Sequence, residues 1–352
     1  MKSVTVKASG IYEVLVGEGV LNDIGRYTAE VVRGRTVAVV SDSNVFPLYG
    51  ERVCTALRTA GFRVETFVFP AGEEQKNLTT YGQLLHQLCA WELTRQDALV
   101  ALGGGVVGDL TGFAAATYLR GIDFVNVPTS LLAMVDSSVG GKTAVDLDIG
   151  KNQVGCFYQP KRVVCDVMTL QTLPPEQMAC GCAEVIKYGL MANRPFFERM
   201  GQQPMATWME EVIATCVEMK RDVVEQDEFE HGCRVLLNLG HTVGHAIETV
   251  SGYQILHGQA IAVGMVVLTR AAIRRGICQP EVLPQLTALL QQYGLPVETA
   301  FSAEVLAKVI RSDKKRRGDT VSMVLPETIG RCRVESVPIA ELTAWLHDGG
   351  IA

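Results

Sequence analysis

The sequence predicts an α/β, Rossmann-like domain followed by a mainly α-helical one, with the boundary between residues 172 and 173. Three observations carry this. Short β-branched or apolar runs alternate with helix-length segments through the first half. A glycine-rich turn follows one of those runs and opens a helical pattern. After Pro174 and Pro175 the texture changes to apolar stripes at helical spacing.

Taken in order, Val4–Val6 and Tyr12–Val16 alternate like strands and form an opening antiparallel pair around Gly10. Val20, Ile24, Tyr27 and Val31 then recur at helical spacing. Thr36–Val40, Arg63–Phe69, Ala98–Leu102 and Ile122–Val127 are compact strand-like runs separated by helices, the pattern of a parallel sheet wrapped on both faces. In the second half Met209, Val212, Ile213, Cys216, Met219 and Val223 mark a helix, and similar stripes continue to about residue 312. Val321–Leu325 and Arg331–Val334 form a late strand pair before a final helix.

Composition narrows the function. Of 352 residues 48% are hydrophobic and 20% charged, ample for folded cores. Lys and Arg number 32 against 38 Asp and Glu, a net charge of -6 that argues against a chain built to grip nucleic acid or anionic lipid. The longest apolar runs, Ala98–Gly108 and Ala260–Leu268, fall far short of the about 20 residues of a membrane span. The N-terminus lacks the apolar stretch of a signal peptide, so a soluble, cytosolic protein is expected. The ten cysteines contain no Cys-x-x-Cys pair and read as reduced, small hydrophobes.

Three groups of residues carry chemistry. Gly103-x-Gly105-x-x-Gly108 follows the strand Ala98–Leu102, which is the strand–turn–helix context of a dinucleotide fingerprint. Glycine there lets backbone N–H groups approach a pyrophosphate at a helix N-terminus. The same turn would also serve close helix–sheet packing alone. It follows a later strand rather than the first, so the adenosine end falls to Asp42 and Asn44, or to Glu73–Lys76, in loops beyond other strands. Second, His241 and His245 lie four apart on one helical face and His257 follows within 17 residues; with Glu184 they form a candidate zinc set. A polar helix face bearing ordinary histidines is the alternative. Third, Arg120, Lys142, Lys151, Lys187, Lys220, Arg234 and the Lys314–Lys315 pair are cations suited to phosphate or carboxylate, several on Gly-rich loops. Singly, each also reads as a solvated surface charge.

Whole segments in this order resemble the 3-dehydroquinate synthase family, the shikimate-pathway branch of the sugar phosphate cyclases. They include Gly103–Asp109, Tyr118–Gly121, Pro128–Thr143, Gly150–Asn152, Ala183–Lys187, Asn238–Glu248 and His257–Ala260. The likeness spans about residues 10 to 345. It implies an NAD-binding α/β domain (1–172), a helical metal- and substrate-binding domain (173–352), a divalent metal (Zn2+ or Co2+) and a homodimer. The implied substrate is 3-deoxy-D-arabino-heptulosonate 7-phosphate. Transient NAD oxidation, phosphate β-elimination, re-reduction and an intramolecular aldol closure would turn it into 3-dehydroquinate and phosphate.

By the same resemblance Glu184, His241 and His257 hold the metal, across the interdomain crevice from the nicotinamide, and His245 becomes a substrate-pocket residue oriented by Glu230. Asp42, Asn44, Glu73, Lys76, Gly104, Gly105, Val106, Val107, Gly108, Asp109, Thr129, Ser130, Lys142, Lys151, Thr169 and Thr172 surround NAD. Asp136 sits at the nicotinamide end. Lys142, Asn152, Lys187, Lys220, Arg234, Asn238 and one lysine of the Lys314–Lys315 pair hold substrate anions and hydroxyls, and Arg120 reaches the phosphate, in one version that of a neighbouring subunit. Ser130 replaces a threonine of the family pattern but keeps the hydroxyl, and Gln177–Cys182 is less typical than the rest. Three rivals share parts of these motifs. They are an inosose- or valiolone-forming cyclase, a metal-dependent polyol dehydrogenase, and a non-catalytic NAD-binding protein.

Overall fold

The computed structural model describes residues 1–311, 316–317 and 319–352. The chain divides into two compact units: Met1–Pro174 with Met209–Phe229, and Pro175–Trp208 with Glu230–Ala352.

The first unit is built on a seven-stranded sheet. Its strands are β1 (Lys2–Lys7), β2 (Ile11–Gly17), β3 (Thr36–Asp42), β4 (Arg63–Phe69), β5 (Ala98–Gly103), β6 (Asp123–Pro128) and, out of sequence order, β9 (Arg162–Asp166). The order across the sheet is β1-β2-β9-β6-β5-β3-β4, and all neighbours are parallel except the β1–β2 pair. The strand period of two sends alternate side chains to opposite faces. Val37 and Val39 of β3 therefore join the core under α1 (Ile24–Ala29) and α2 (Glu51–Thr59). Ala38 and Val40 join the core under α3 (Leu78–Ala90) and α4 (Gly105–Thr117). Helices on both faces explain why β5 is buried at every position and reads as a continuous apolar run.

Two features were not predicted. Strand β9 lies between β2 and β6, yet its Arg and Asp ends disguise it; Arg162 is buried only because Glu13 and Glu30 hold its guanidinium at 2.9 and 2.5 Å. Residues read as Gly-rich loops form a separate antiparallel pair, β7 (Lys142–Leu147) and β8 (Gly150–Phe157).

The second unit contains α5 (Pro175–Ala192), α6 (Arg194–Gln202), α8 (His241–Val250), α9 (His257–Arg274), α10 (Val282–Gln292), α11 (Ala303–Arg311) and α12 (Leu342–Asp348). It also holds an antiparallel sheet of β10 (Arg316–Arg317), β11 (Thr320–Thr328) and β12 (Arg331–Pro338), the late strand pair expected from sequence. Helix α7 (Met209–Gln226) belongs to the first unit. Its C-terminal end is tied there by Lys7 N donating to Glu225 at 2.7 Å and Ser9 N to Glu228 at 2.7 Å. Among the described residues no helix is long and apolar enough to cross a membrane.

Asp97 fixes the entry to the central strands. Its carboxylate accepts Arg35 N at 3.1 Å, Thr36 N at 2.8 Å and the Thr94 N–H and hydroxyl at 2.8 Å each. Burial opposes its charge, but these donors outweigh burial and hold the carboxyl below its ordinary value. A depressed carboxyl stabilises the fold above its unfolded value of about 3.9 and loses that contribution as pH falls through the native value. Asp97→Ala is therefore expected to cost about 2–3 kcal/mol in urea unfolding at pH 7. The difference from the unsubstituted chain should shrink below about pH 4.

Candidate active site and metal centre

Loops at the C-terminal ends of the parallel strands gather the predicted dinucleotide residues, the usual ligand edge of an open α/β sheet. Gly103 ends β5 and Gly104 precedes α4, so the first amides of α4 face out from the turn. A Cβ on Gly103 would lie 2.5 Å from Val107 Cγ2, which makes Gly103 a packing requirement of the turn itself. Gly105 lies close to Ser137 and Gly104 to the Ser130 hydroxyl. Thr129 N donates to Gly103 O at 2.9 Å, tying the β6 loop to the same turn. Asp42 ends β3 and accepts Asn44 N and Val45 N at 2.8 and 2.9 Å. Beyond β9, Thr172 and the Thr169 carbonyl both meet Tyr49, at 2.6 and 3.3 Å.

Lys76 is the hub of this edge. Buried to 4% exposure, its ammonium reaches Glu73 at 3.0 Å, Asp109 at 3.3 Å, Asn152 Oδ1 at 2.9 Å and Asp146 at 3.8 Å. Burial opposes the Lys76 charge, but Asp109, Glu73 and Asp146 hold it above its ordinary value. Burial pushes Asp109 up to about 6 even with Lys76 opposing. Lys151 Nζ stands 3.7 Å from Glu73. Asn152 takes a left-handed backbone (φ 53°), secured by its N–H donating to Asp146 at 2.6 Å. Asp146 was missed from sequence; its N–H donates to Lys76 O at 2.7 Å, which brings β7 beside the Lys76 loop.

Elsewhere in the first unit, Lys220 of α7 donates to the Asp136 carbonyl at 2.6 Å and to its carboxylate at 2.5 Å. Lys142 opens β7 after Gly140 and Gly141, both left-handed at φ 94° and 70°. Arg120 is exposed and left-handed (φ 69°), beside Leu119 in the same region (φ 51°).

In the second unit three helices converge. Glu184, in the middle of α5, is fully buried; His241 and His257 are the first residues of α8 and α9. His257 Nε2 stands 3.3 Å and His241 Nε2 3.6 Å from the same oxygen, Glu184 Oε1. Lys187, one turn on along α5, is paired with the other oxygen, Oε2. Ligand atoms of all three residues lie within 4.8 Å of one another. Around a tetrahedral ion with bonds of about 2.0–2.2 Å, neighbouring ligand atoms stand about 3.3–3.5 Å apart, so two imidazoles and a carboxylate at these separations fit one divalent cation with a position left for substrate. The other ring nitrogens are engaged: His241 Nδ1 meets Leu239 O at 3.1 Å and His257 Nδ1 meets Glu248 at 3.2 Å. The pocket favours positive charge. Burial opposes a protonated imidazole, yet Glu184 and Glu248 together push His257 up to about 10.

His245 packs on both rings, 5.3 Å from His241 and 6.0 Å from His257. Glu230 accepts from Asn238 Nδ2 at 3.0 Å, and Arg234 is buried nearby in sequence. Lys314, with Lys315, lies outside the described residues. Glu248 escaped the sequence analysis, although its place three residues after His245 on one helix face was a usable signal.

A Rossmann-like α/β unit together with a helical unit carrying this cluster defines the class of metal- and dinucleotide-associated sugar phosphate cyclases. The solved structure of 2-deoxy-scyllo-inosose synthase, complexed with carbaglucose-6-phosphate, NAD+ and Co2+, superposes with a TM-score of 0.86 at 26% identity, covering 99% of this chain and 100% of that one. The 3-dehydroquinate synthase of Enterococcus faecalis is 41% identical over the full length of both chains, and that of Pelobacter propionicus 44% over 94% of each. The family models for the 3-dehydroquinate synthase N-terminal and C-terminal domains match residues 66–180 and 181–316. The chain belongs to the 3-dehydroquinate synthase family.

The cluster depends on close helix packing at glycine. A Cβ on Gly258 would lie 2.3 Å from Cys180 Cα, so alanine there must separate α9 from α5 and carry His257 away from Glu184. Gly258→Ala should weaken Zn2+ binding at least tenfold in a chelator competition. Gly82→Ala, in α3 with nothing within 4 Å of a new Cβ, should leave binding unchanged and add about 0.5–1 kcal/mol of stability.

Proposed function

We propose that this chain converts 3-deoxy-D-arabino-heptulosonate 7-phosphate to 3-dehydroquinate and phosphate, the shikimate-pathway step that serves aromatic amino-acid biosynthesis. The observation that carries this reading is the convergence of Glu184, His241 and His257 in a chain 41% identical, end to end, to a 3-dehydroquinate synthase. Identity to the inosose-forming relative is only 26%, which favours the heptulosonate substrate over that of the neighbouring cyclase class.

Residues 1–172 are the NAD-binding domain and 173–352 the metal- and substrate-binding domain, with α7 grouped with the former in the fold. Glu184, His241 and His257 hold one divalent cation, Zn2+ or Co2+, a reading supported by their chemistry and spacing. When bound, the dinucleotide supplies reversible hydride acceptance and the cation a charge that stabilises a developing alkoxide, with no net redox change.

The chain's own groups bind, orient and exclude water. The Gly103–Gly105 turn receives the pyrophosphate at the α4 N-terminus. Asp42, Asn44, Thr169 and Thr172 surround the adenosine end, and Glu73, Lys76, Val106, Val107, Gly108, Asp109, Thr129, Ser130 and Lys151 the remainder. Lys142, Asn152, Lys187, Lys220, Arg234, Asn238 and Lys314 hold the substrate's anionic groups and hydroxyls, and Lys142 also touches the cofactor. His245 lines the substrate pocket and Asp136 the nicotinamide end, its carboxylate accepting from Lys220. The leaving phosphate takes up the proton released beside it, which spares the chain a dedicated base. Arg120 binds phosphate, and the left-handed backbone that projects it outward favours a role toward a second subunit of a homodimer. The ten cysteines form no disulfide among the described residues, which suits a cytoplasmic setting.

Phosphate release from the heptulosonate phosphate should require both NAD and the metal and stop with chelator. NAD well below the enzyme concentration's worth of turnovers should sustain many cycles with no lasting NADH absorbance; steady NADH accumulation would point to a dehydrogenase instead. His257→Ala should lose tightly bound metal, read by elemental analysis of the dialysed protein, and normal metal content would remove His257 from the ligand set.

A further inference from the structure

Glu248 lies seven residues after His241 on α8, two turns along and on the same face, and is 4% exposed. Its carboxylate stands 3.2 Å from His257 Nδ1, while His257 Nε2 stands 3.3 Å from Glu184. We propose that Glu248 is a positioning residue, whose carboxylate holds the His257 ring in the tautomer and rotation that turn Nε2 toward Glu184 and His241. This rests on the reading of Glu184, His241 and His257 as the metal set.

An ionised carboxylate only accepts hydrogen bonds, so the ring nitrogen facing it carries the hydrogen and the lone pair is left on Nε2. His257 needs such an anchor more than His241 does. His241 is almost enclosed and has a backbone carbonyl against its Nδ1, whereas His257 is 31% exposed in its side chain and opens a helix. The other tautomer would aim an N–H at Glu184, and a half-turn of the ring about Cβ–Cγ would put Cε1 in place of Nε2. The Glu248 backbone is fixed at the end of α8, because Tyr253 N and Ser251 Oγ donate to its carbonyl at 2.8 Å each. One rigid helix therefore carries the first imidazole and the anchor of the second, which fixes their separation. The structure also brings ligand atoms of His245, Glu248 and His257 within 4.8 Å of one another, so the test must separate an anchoring carboxylate from a metal-binding one.

Co2+ titrated into the full chain, with visible absorption and chelator competition, makes that separation. Glu248→Ala should bind Co2+ about ten- to a hundredfold more weakly, with the band positions of the unsubstituted protein because its ligands are the same. Glu248→Gln, whose amide oxygen still accepts from Nδ1–H, should recover to within a few-fold. Equal affinity in Glu248→Ala overturns the proposal. Shifted bands with both variants equally weak also overturn it, in favour of Glu248 as a ligand. Failure of the unsubstituted chain to bind Co2+ at all would sink the underlying metal set and this inference together. Glu184→Ala is the arm that tells them apart: tight binding retained there removes the metal set while Glu248→Ala still reports on its own site. Far-ultraviolet circular dichroism checks that each variant is folded.

Discussion

A carboxylate at the centre of a helix, with no exposure to water, is the constraint around which the second unit is organised. Burying an isolated carboxylate costs several kcal/mol, so Glu184 persists only where positive or hydrogen-donating groups surround it. The chain supplies Lys187 from the same helix and two imidazoles from the starts of two others. The imidazoles are close enough only because glycine lines the helix contacts. A Cβ on Gly264 would fall 2.1 Å from Gly240 O, and one on Gly244 2.6 Å from Ile261 Cδ1. Gly240 also takes the left-handed backbone (φ 80°) that turns the chain into α8. Packing sets how closely the helices approach, and the hydrogen bonds on the Nδ1 atoms orient the rings within that space.

The first unit meets a related problem differently. Around Lys76 the acids outnumber the ammonium, and burial, with Glu73 and Asp146 adding to it, raises the Asp109 carboxyl in spite of Lys76. Such a knot is unfavourable as a purely structural device, since a buried network is stable only when fully satisfied. It is intelligible at the ligand edge of a sheet, where perturbed groups belong to the binding surface. The four segments it joins are the loop after β4, α4, β7 and β8. That makes Lys76 the residue that holds the hairpin against the glycine turn.

Most of the fold was legible because it rests on local pattern. The parallel strands are apolar runs of the right length, and the glycine turn announces its own strand and helix. Strand β9 was illegible for a physical reason: Arg162 at its start is neutralised by Glu13 and Glu30, residues about 130 to 150 positions away in the chain, and Asp166 at its end accepts from the backbone of Gly19 and Leu21. The hairpin β7–β8 hid because its residues sit among glycines and its two strands form a small sheet apart from the parallel one. Of the site, residue type and spacing offered Glu184, His241, His245 and His257 together, and the family resemblance singled out Glu184, His241 and His257; in the structure His245 stands edge-on to His241 and tilted against His257, the two rings whose Nε2 atoms meet Glu184. Spacing by itself could not have fixed the choice of Glu184 for residues more than fifty positions on.

The atypical segment Gln177–Cys182 shows how a sequence can drift beside a fixed centre. It precedes Glu184 on α5, yet the tight contact there is between Gly258 and the backbone of Cys180, its Cα and carbonyl. Backbone atoms are the same for every residue type, so the contact constrains the glycine and leaves its partner free to vary. What the partner must do is stay small and tolerate burial. Cys180 and Cys182 satisfy both, and burial pushes the Cys182 thiol up to about 12, which keeps it protonated and unreactive beside a metal-binding pocket. The desolvation that makes these cysteines inert is the same desolvation that makes Glu184 need a cation, and the two requirements are met by one stretch of helix.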